Sequence, residues 1–168
     1  MFEVNDLVMY GATGVCRVTS IGRPDFAGDE DDKLYYFLEP LYQSGIIYAP
    51  VDNQKVVMRP IISAEGARDM LKNIDAIEGA KIVPGSMQHL SQQYQSLIES
   101  YSSECLLSLA KSIYRKNLEA EKNRKKLGQI DKRFMKKTED LVFGEFAAAL
   151  GEDREDIADY VHRHFGDA

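Results

Sequence analysis

The position of proline constrains the fold of this chain more than any other feature. The five prolines are Pro24, Pro40, Pro50, Pro60 and Pro84, and none occurs from Gly85 onward. Strands and turns tolerate proline, whereas a proline inside a helix removes a hydrogen bond and clashes with the preceding turn. The sequence therefore predicts a β-rich part up to about residue 62 and a long α-helical part after it.

The first 60 residues contain short apolar runs that are separated by turn sequences. We expect strands at 7–10, 15–21, 34–41, 46–49 and 55–58, with a glycine turn at 11–14. The acidic stretch at 25–33 has the composition of a solvated loop. Several short strands at this spacing are typical of a small, strongly bent barrel of the SH3 or Tudor type.

The fourth predicted strand is a candidate binding edge. This segment is short and apolar, and it follows a glycine turn at 43–45. Its residues are Ile46, Ile47 and Tyr48. Small barrels often bind peptides or pair an exposed edge with a partner's sheet. The alternative is that this strand only fills the core. Because side chains alternate along a strand, we expect one of the two isoleucines to do so.

From residue 63 onward, apolar residues recur three or four positions apart, which is the period of amphipathic helices. Helix-capping serines stand before three of these segments, at Ser63, at Ser86 and at Ser102 or Ser103. A fourth helix is expected from near Asp131 to Gly151 and a fifth over about 153–165, packed together as a bundle. In the second helix, Met87, Leu90 and Tyr94 are expected on the buried face.

The range 111–137 holds the concentrated positive charge of an acidic protein. It contains 11 Lys or Arg against 3 acids, a local charge of +8, whereas the whole chain carries −6. Such a segment favours an anionic partner, although an ordinary solvated pair of helices has the same composition. We expect the first of these helices to run to about Lys126 and to end at Gly128, which tolerates a positive φ.

The sequence gives no positive evidence for an enzyme. It has no glycine-rich phosphate loop, no nucleophile with a recognisable base and no metal-ligand spacing. His162 and His164 are two apart on a predicted helix, so they are expected to be surface residues facing different directions. Cys16 and Cys105 are expected to be small buried residues. We therefore predict a binding protein without a cofactor, a metal or a small-molecule substrate.

The sequence also indicates where the protein acts. No apolar run reaches the roughly 18 residues of a membrane span, and the opening residues lack the apolar core of a secretory signal. The two cysteines are too few for a disulfide framework. The expectation is a cytoplasmic protein with no membrane partner.

Taken together, these segments resemble the CarD-type (CdnL-like) bacterial transcription factors. The resemblance rests on FEVNDLVMYGATGVCRV near the start, GIIYAPVDN with its proline turn, and KKLGQIDKRFMKKTEDLVFGEFAAAL in the helical half. Members of that family join a Tudor-like domain that binds the RNA polymerase β subunit to a helical domain that contacts promoter DNA. The resemblance implies an α+β protein, with residues 1–62 as a small SH3/Tudor-like β barrel that binds polymerase and residues 63–168 as an all-α helical bundle.

The resemblance also implies which residues meet polymerase. Arg23 matches a position where family members carry a contacting arginine, and Tyr48 stands where many carry a second one. Backbone pairing along the strand from Ile46 and Ile47 to Ala49 would supply the rest of the polymerase-binding site. Replacing an arginine by a tyrosine changes the electrostatics of that site but leaves strand pairing possible.

The helical half departs from the family at its best-known DNA element. Members carry a tryptophan wedge there, followed by basic residues, whereas this chain has no Trp. Leu90 stands at the wedge position, with Gln92 and Gln93 where basic residues are common. Leu90 also fits the buried period of its helix, so the wedge and the core roles both stay open. The residues expected to face DNA phosphates are Lys125, Lys126, Lys132, Arg133 and Lys136.

The predicted function is transcription regulation. The barrel would dock on the polymerase β subunit, and the helices would contact upstream promoter DNA weakly and without reading its sequence, which would modulate the stability of the open complex. One alternative is a polymerase-binding protein that does not touch DNA. Another is a protein-interaction adaptor whose basic helices meet an acidic protein.

Overall fold

The computed structural model describes residues 1–28, 32–52 and 55–166. The chain divides into two units, Met1–Ile61 and Ile62–Ala168. The first holds the strands and the second holds the helices. The predicted α+β class is therefore confirmed.

The first unit is built on one five-stranded antiparallel sheet. The strands are β1 (Leu7–Tyr10), β2 (Gly14–Gly22), β3 (Tyr35–Pro40), β4 (Ile47–Pro50) and β5 (Met58–Pro60). Their order across the sheet is β4-β3-β2-β1-β5, so β4 and β5 are the edges. Closure of this sheet into a barrel stays a prediction.

Alternation of side chains places the core on one face of this sheet. Its buried members are Val8, Cys16, Val18, Tyr36, Leu38 and Ala49. The register between β2 and β3 shifts between Val18 and Ser20. A shift of this kind bends a strand and increases its twist. The long strand β2 can therefore bend while its apolar side chains Cys16 and Val18 stay on the core face.

The predicted fifth strand at 55–58 is wrong in its bounds, because β5 begins only at Met58. Val56 and Val57 instead close over the glycine turn that follows β1. The Val57 carbonyl accepts a hydrogen bond from the Gly11 N–H at 2.9 Å. Gly11 has a φ of +47°, and a Cβ there would lie 2.8 Å from a Val56 methyl group. This close approach explains why the turn requires glycine.

The second unit contains five α-helices in its described part. They are α1 (Ala64–Lys72), α2 (Met87–Ile98), α3 (Ser103–Lys122), α4 (Gln129–Leu150) and α5 (Arg154–Gly166), with a 3₁₀ turn at Ile74–Ala76. The predicted serine caps are confirmed. The hydroxyls of Ser63, Ser86 and Ser102 accept hydrogen bonds from backbone N–H groups in the first turns of α1, α2 and α3.

The predicted end of the basic helix at Gly128 is wrong. Helix α3 ends at Lys122, and Arg124 takes the left-handed conformation with a φ of 55°. The N–H groups of Arg124 and Lys125 donate to the carbonyls of Glu121 and Ala120, which is the hydrogen-bond pattern of a Schellman cap. Gly128 has a φ of −63° and is the N-cap of α4, so the break needs six residues and not one glycine.

Helix α4 is the centre of the helical core. Every residue from 141 to 147 is buried, which is wider than the single apolar face that the sequence predicts. Glu145 lies within this segment and is fully buried. Its carboxylate accepts hydrogen bonds from the Ile62 N–H and the Ser103 hydroxyl, each at 2.8 Å. These bonds satisfy a charge that would otherwise be costly to bury.

Two further expectations about helical faces need correction. Met87 is 70% exposed, because it lies at the first position of α2, before the face that packs on α3 and α4. Lys111 belongs to the basic stretch in sequence but is only 4% exposed. Its ammonium group donates to the Ile77 carbonyl and lies 6.0 Å from the centre of the Phe165 ring. Burial lowers the pKa of Lys111.

Candidate functional site

The edge strand β4 presents the predicted polymerase-binding residues in an alternating pattern. Ile46, just before the strand, is 58% exposed, whereas Ile47 is half-buried and packs against the core of the sheet. Tyr48 points to the opposite face and is 39% exposed. The prediction that one isoleucine fills the core is confirmed, and that residue is Ile47. The edge position of β4 gives a partner strand access to backbone hydrogen-bonding groups.

An aromatic cluster lies on the outer face of β3 and β4. Phe37 and Tyr48 are cross-strand partners with ring centres 5.0 Å apart. Phe26 contacts Tyr48 at 5.0 Å and Tyr35 at 6.1 Å, both edge to face. Phe26 is nevertheless 66% exposed. Exposed aromatic rings beside an unpaired strand edge are a composition typical of protein interfaces.

Arg23 lies at the base of the loop that carries Phe26. Its guanidinium donates to the Gly28 carbonyl at 2.7 Å and lies 3.9 Å from the Asp32 carboxylate. A hydrogen bond from the Ala27 N–H to the Pro24 carbonyl closes a turn within the described part of this loop. Arg23 thus helps to hold the aromatic cluster in place. Its predicted contact with polymerase stays a prediction.

Residues 2–62 match the family model of the CarD-like/TRCF RID domain. The N-terminal unit is a CarD-like/TRCF RID domain. The predicted family is confirmed on this unit, and the match supports an RNA polymerase-interacting, transcription-related role. The helices α1 to α5 lie outside the matched residues. No curated protein matches the chain.

Outside the RID domain, three of the predicted DNA-binding lysines form what we call the basic corner: Lys125, Lys126 and Lys132. The first two lie in the turn between α3 and α4, and the third lies in the first turn of α4. All three are exposed. No described residue supplies a carboxylate to their ammonium groups. Such charges are available to an external anion.

The other two predicted cations differ from each other in their surroundings. Lys136 forms an ion pair with Asp140 at 2.9 Å, one turn further along α4. Arg133 points across to α2, where it donates to the Ser91 hydroxyl at 3.4 Å and lies over the Phe134 ring. The sequence predicts that Arg133 and Lys136 both face DNA phosphates. The residue on the same helix face as Arg133 is Lys137, four positions on.

The three residues predicted around the DNA wedge have separate roles in the structure. Leu90 is half-buried and lines a groove with Tyr94 and the connector that precedes α2. The Gln93 amide is bonded on both sides to the backbone of Val83 in that connector, at 2.8 and 2.9 Å. Gln92 is exposed and faces the same groove as Arg133. Of the three, Gln92 is the one that shares a groove with a predicted DNA-binding cation.

A buried polar network joins α2, α3 and α4 beneath these residues. The Tyr94 hydroxyl donates to the Asp131 carboxylate at 2.6 Å, and the Lys116 ammonium lies 2.9 Å from the other oxygen of that carboxylate. Burial, and then the bond to Asp131, raises the pKa of Tyr94. Lys116 is thus already engaged within the protein. Together with the burial of Lys111, this reduces the positive charge that the basic stretch presents to solvent.

The structure adds a residue that the sequence did not indicate. Phe26 lies in an acidic loop, where no periodicity marks it as important, and its contacts with Tyr35 and Tyr48 assign it to the cluster. The predicted surface position of His162 is wrong in part. This histidine is half-buried, bonds to the Glu139 carboxylate at 2.6 Å and stacks on Tyr114.

The described ranges contain neither a metal-ligand cluster nor a membrane-spanning helix. No group of three or more His, Cys, Asp or Glu side chains is arranged there to hold a metal ion. No helix within these ranges is both long enough and apolar enough to cross a membrane.

Proposed function

We propose that this protein is a transcription regulator that binds the β subunit of RNA polymerase through its RID domain and contacts upstream promoter DNA through its helical unit. The observation that carries the proposal is the coincidence of the family match with an exposed sheet edge. Residues 2–62 match the RID family, and β4 lies at the edge of their sheet beside the aromatic cluster. That arrangement suits strand addition by a partner.

In this proposal, the partner strand pairs with the backbone of β4. Ile46 and the aromatic cluster supply apolar contacts beside the paired strands, because these side chains are exposed in the free domain. Main-chain hydrogen bonds give affinity in such interactions, and the flanking side chains give specificity. Arg23 supports the contact by holding the loop that presents Phe26.

The proposed DNA contact uses the basic corner. Lysines bind phosphates as point charges and do not read base sequence, so the contact would be sequence-independent and would weaken with salt. The net charge of −6 opposes binding to free DNA. Attachment to polymerase overcomes this by raising the local concentration of the helical unit near the promoter. Contact at the edge of the melted DNA would then shift the stability of the open complex.

The experiment that tests the polymerase contact compares two exposed apolar residues near opposite edges of the sheet. Full-length protein carrying Ile46→Glu should lose most of its binding to the purified polymerase β lobe. The matched control is Val57→Glu, which precedes β5 and alters a residue that is 42% exposed. Ile47 is unsuitable for this purpose, because it packs against the core and its replacement by glutamate would disturb the fold.

Equal binding by both variants and the wild-type protein would contradict the proposed edge. Loss of binding in Val57→Glu alone would move the contact to the β5 side. Circular dichroism of each variant checks that the fold is retained.

A second candidate is a polymerase-binding protein that does not contact DNA. Two observations favour it: Leu90 is half-buried and Gln93 is bonded to Val83, so neither is presented as the family's DNA element would be. Charge reversal at Lys125 and Lys132 separates the two functions. If the helical unit contacts DNA, this charge reversal should weaken binding to a polymerase–promoter complex but not to polymerase alone. If the helical unit does not contact DNA, both affinities should stay the same.

A further inference from the structure

A groove of about 360 Å³ lies between helices α2 and α4, and the two helices line it with different kinds of side chain. Helix α4 contributes the two cations Arg133 and Lys137 and the Phe134 ring. Helix α2 contributes one hydroxyl and two amides. The lining residues from α2 are Ser91, Gln92 and Gln95.

Among the described residues, the two cations of this groove donate hydrogen bonds only to neutral oxygens. Arg133 donates to the Ser91 hydroxyl and Lys137 donates to the Gln95 amide oxygen, each at 3.4 Å. Hydrogen bonds from a cation to an anionic oxygen are usually about 2.7–2.9 Å long. The acid in this hydrogen-bond chain, Glu99, accepts from the amide nitrogen of Gln95 and not from either cation. The positive charge of the groove is therefore not compensated by its described lining.

The neighbouring residue Lys136 provides the contrast. It lies on a different face of α4, is 79% exposed and pairs with the Asp140 carboxylate at 2.9 Å. Asp140 also lies 4.0 Å from Arg154. An external phosphate would have to compete with a carboxylate for Lys136, but only with a neutral amide oxygen for Lys137.

We propose that the α2–α4 groove is a subsite for one phosphate of the DNA backbone, bound by Arg133 and Lys137. The exposed amide of Gln92 at the same groove is a further donor to a phosphate oxygen. This inference deepens the proposed function and rests on its DNA contact. It assigns the phosphate contact to Lys137 in place of Lys136, and it extends the DNA-binding surface from the basic corner along α4 to α2.

The test compares Lys137→Gln with Lys136→Gln, two adjacent substitutions that remove the same charge. Each full-length variant is titrated onto a polymerase–promoter complex at several salt concentrations, and onto polymerase without DNA. Loss of one phosphate contact should reduce the slope of log affinity against log salt by about 0.9 for duplex DNA. We expect this reduction in Lys137→Gln, no reduction in Lys136→Gln, and unchanged affinity of both for polymerase alone. Lys137→Arg should restore the slope.

The controls separate failure of the subsite from failure of the DNA contact. Lys125→Gln and Lys132→Gln are measured in the same way. If these two reduce the slope and Lys137→Gln does not, the subsite is overturned and the basic corner keeps its role. If no lysine variant changes the slope while polymerase binding persists, both the subsite and the proposed DNA contact are overturned. If Lys137→Gln weakens binding to polymerase without DNA, the groove takes an acidic protein segment and the phosphate assignment is overturned. A thermal melt of Lys137→Gln shows that the fold is intact.

Discussion

Replacing Tyr94 with phenylalanine removes one hydroxyl from the buried network that joins α2 to α4. The ring itself is 2% exposed and packs edge to face on Phe134, so the substitution leaves its packing in place. What is lost is the 2.6 Å hydrogen bond to the Asp131 carboxylate. Asp131 is 5% exposed and keeps Lys116 as its partner, but water does not readily replace the lost donor.

The expected loss of stability in Tyr94→Phe follows from the charge of the hydrogen-bond acceptor, the Asp131 carboxylate. A hydrogen bond to a charged group contributes about 1.5–3 kcal/mol to stability, against about 0.5–1.5 kcal/mol for a bond between neutral groups. Tyr160 supplies the matched control within the same unit, because its hydroxyl donates to the neutral carbonyl of Leu71 at 2.9 Å. We therefore expect Tyr94→Phe to cost about twice as much free energy of unfolding as Tyr160→Phe.

Native-state amide hydrogen exchange is the suitable assay, because it reports the opening free energy of α3 and α4 without requiring the two units to unfold together. The most protected amides of these helices should lose about 1.5–3 kcal/mol of protection in Tyr94→Phe. Equal losses in Tyr94→Phe and Tyr160→Phe would refute the argument, since they would show that the charge of Asp131 adds nothing to the bond.

The alkaline pH dependence gives an independent check on the same network. The pKa of Tyr94 is raised above its ordinary value of 10.0 in the folded protein. Above pH 10 the unfolded chain therefore releases the phenolic proton while the folded protein retains it, and the stability of the fold falls as pH rises. Tyr94→Phe should lose stability less steeply above pH 10 than the wild type. If stability fell equally steeply with pH in Tyr94→Phe and the wild type, the group that ionises would not be Tyr94.

Three further predictions concern single residues. Arg124→Gly should stabilise the helical unit by up to about 1 kcal/mol in denaturant unfolding, because glycine adopts the left-handed cap without strain, and a loss of stability would contradict the Schellman geometry. Cys105 should react with a thiol reagent well before Cys16, since Cys16 is buried and burial raises the pKa of its thiol to about 11; comparable rates in the folded protein would contradict this. Lys111→Met should leave the salt dependence of binding to a polymerase–promoter complex unchanged, because its ammonium group is buried, whereas Lys125→Met should reduce it.

Features set by neighbours in the chain could be predicted from the sequence. The serine caps of α1, α2 and α3 depend on a hydroxyl three residues before the N–H that it accepts from, which the sequence displays directly. The bounds of β1 follow from an apolar run before a glycine turn. The left-handed Gly151 at the end of α4 follows from glycine being the residue that adopts that conformation without strain.

The end of α3 could not be predicted in this way. Arg124 adopts the left-handed conformation, which is sterically unfavourable for any residue with a Cβ. The sequence rule for helix ends expects glycine at such a position. The turn at 123–128 sets where α4 begins and how it follows α3, and packing between those helices outweighs the preference of one residue. The same applies to β5, whose start is set by pairing with β1 and not by the apolar run at 55–58.

The sequence by itself determined the order of strands and helices, the location of positive charge along the chain and the RID family of the first unit. Only the tertiary structure decided which charges are available. Lys111 is buried, Lys116 is paired with Asp131, Lys136 is paired with Asp140, and Lys137 faces a neutral amide on α2. The physical reason is that periodicity reflects neighbours within a few residues, whereas the states of Lys111, Lys116 and Lys137 depend on groups that folding brings to them from 34, 15 and 42 positions away.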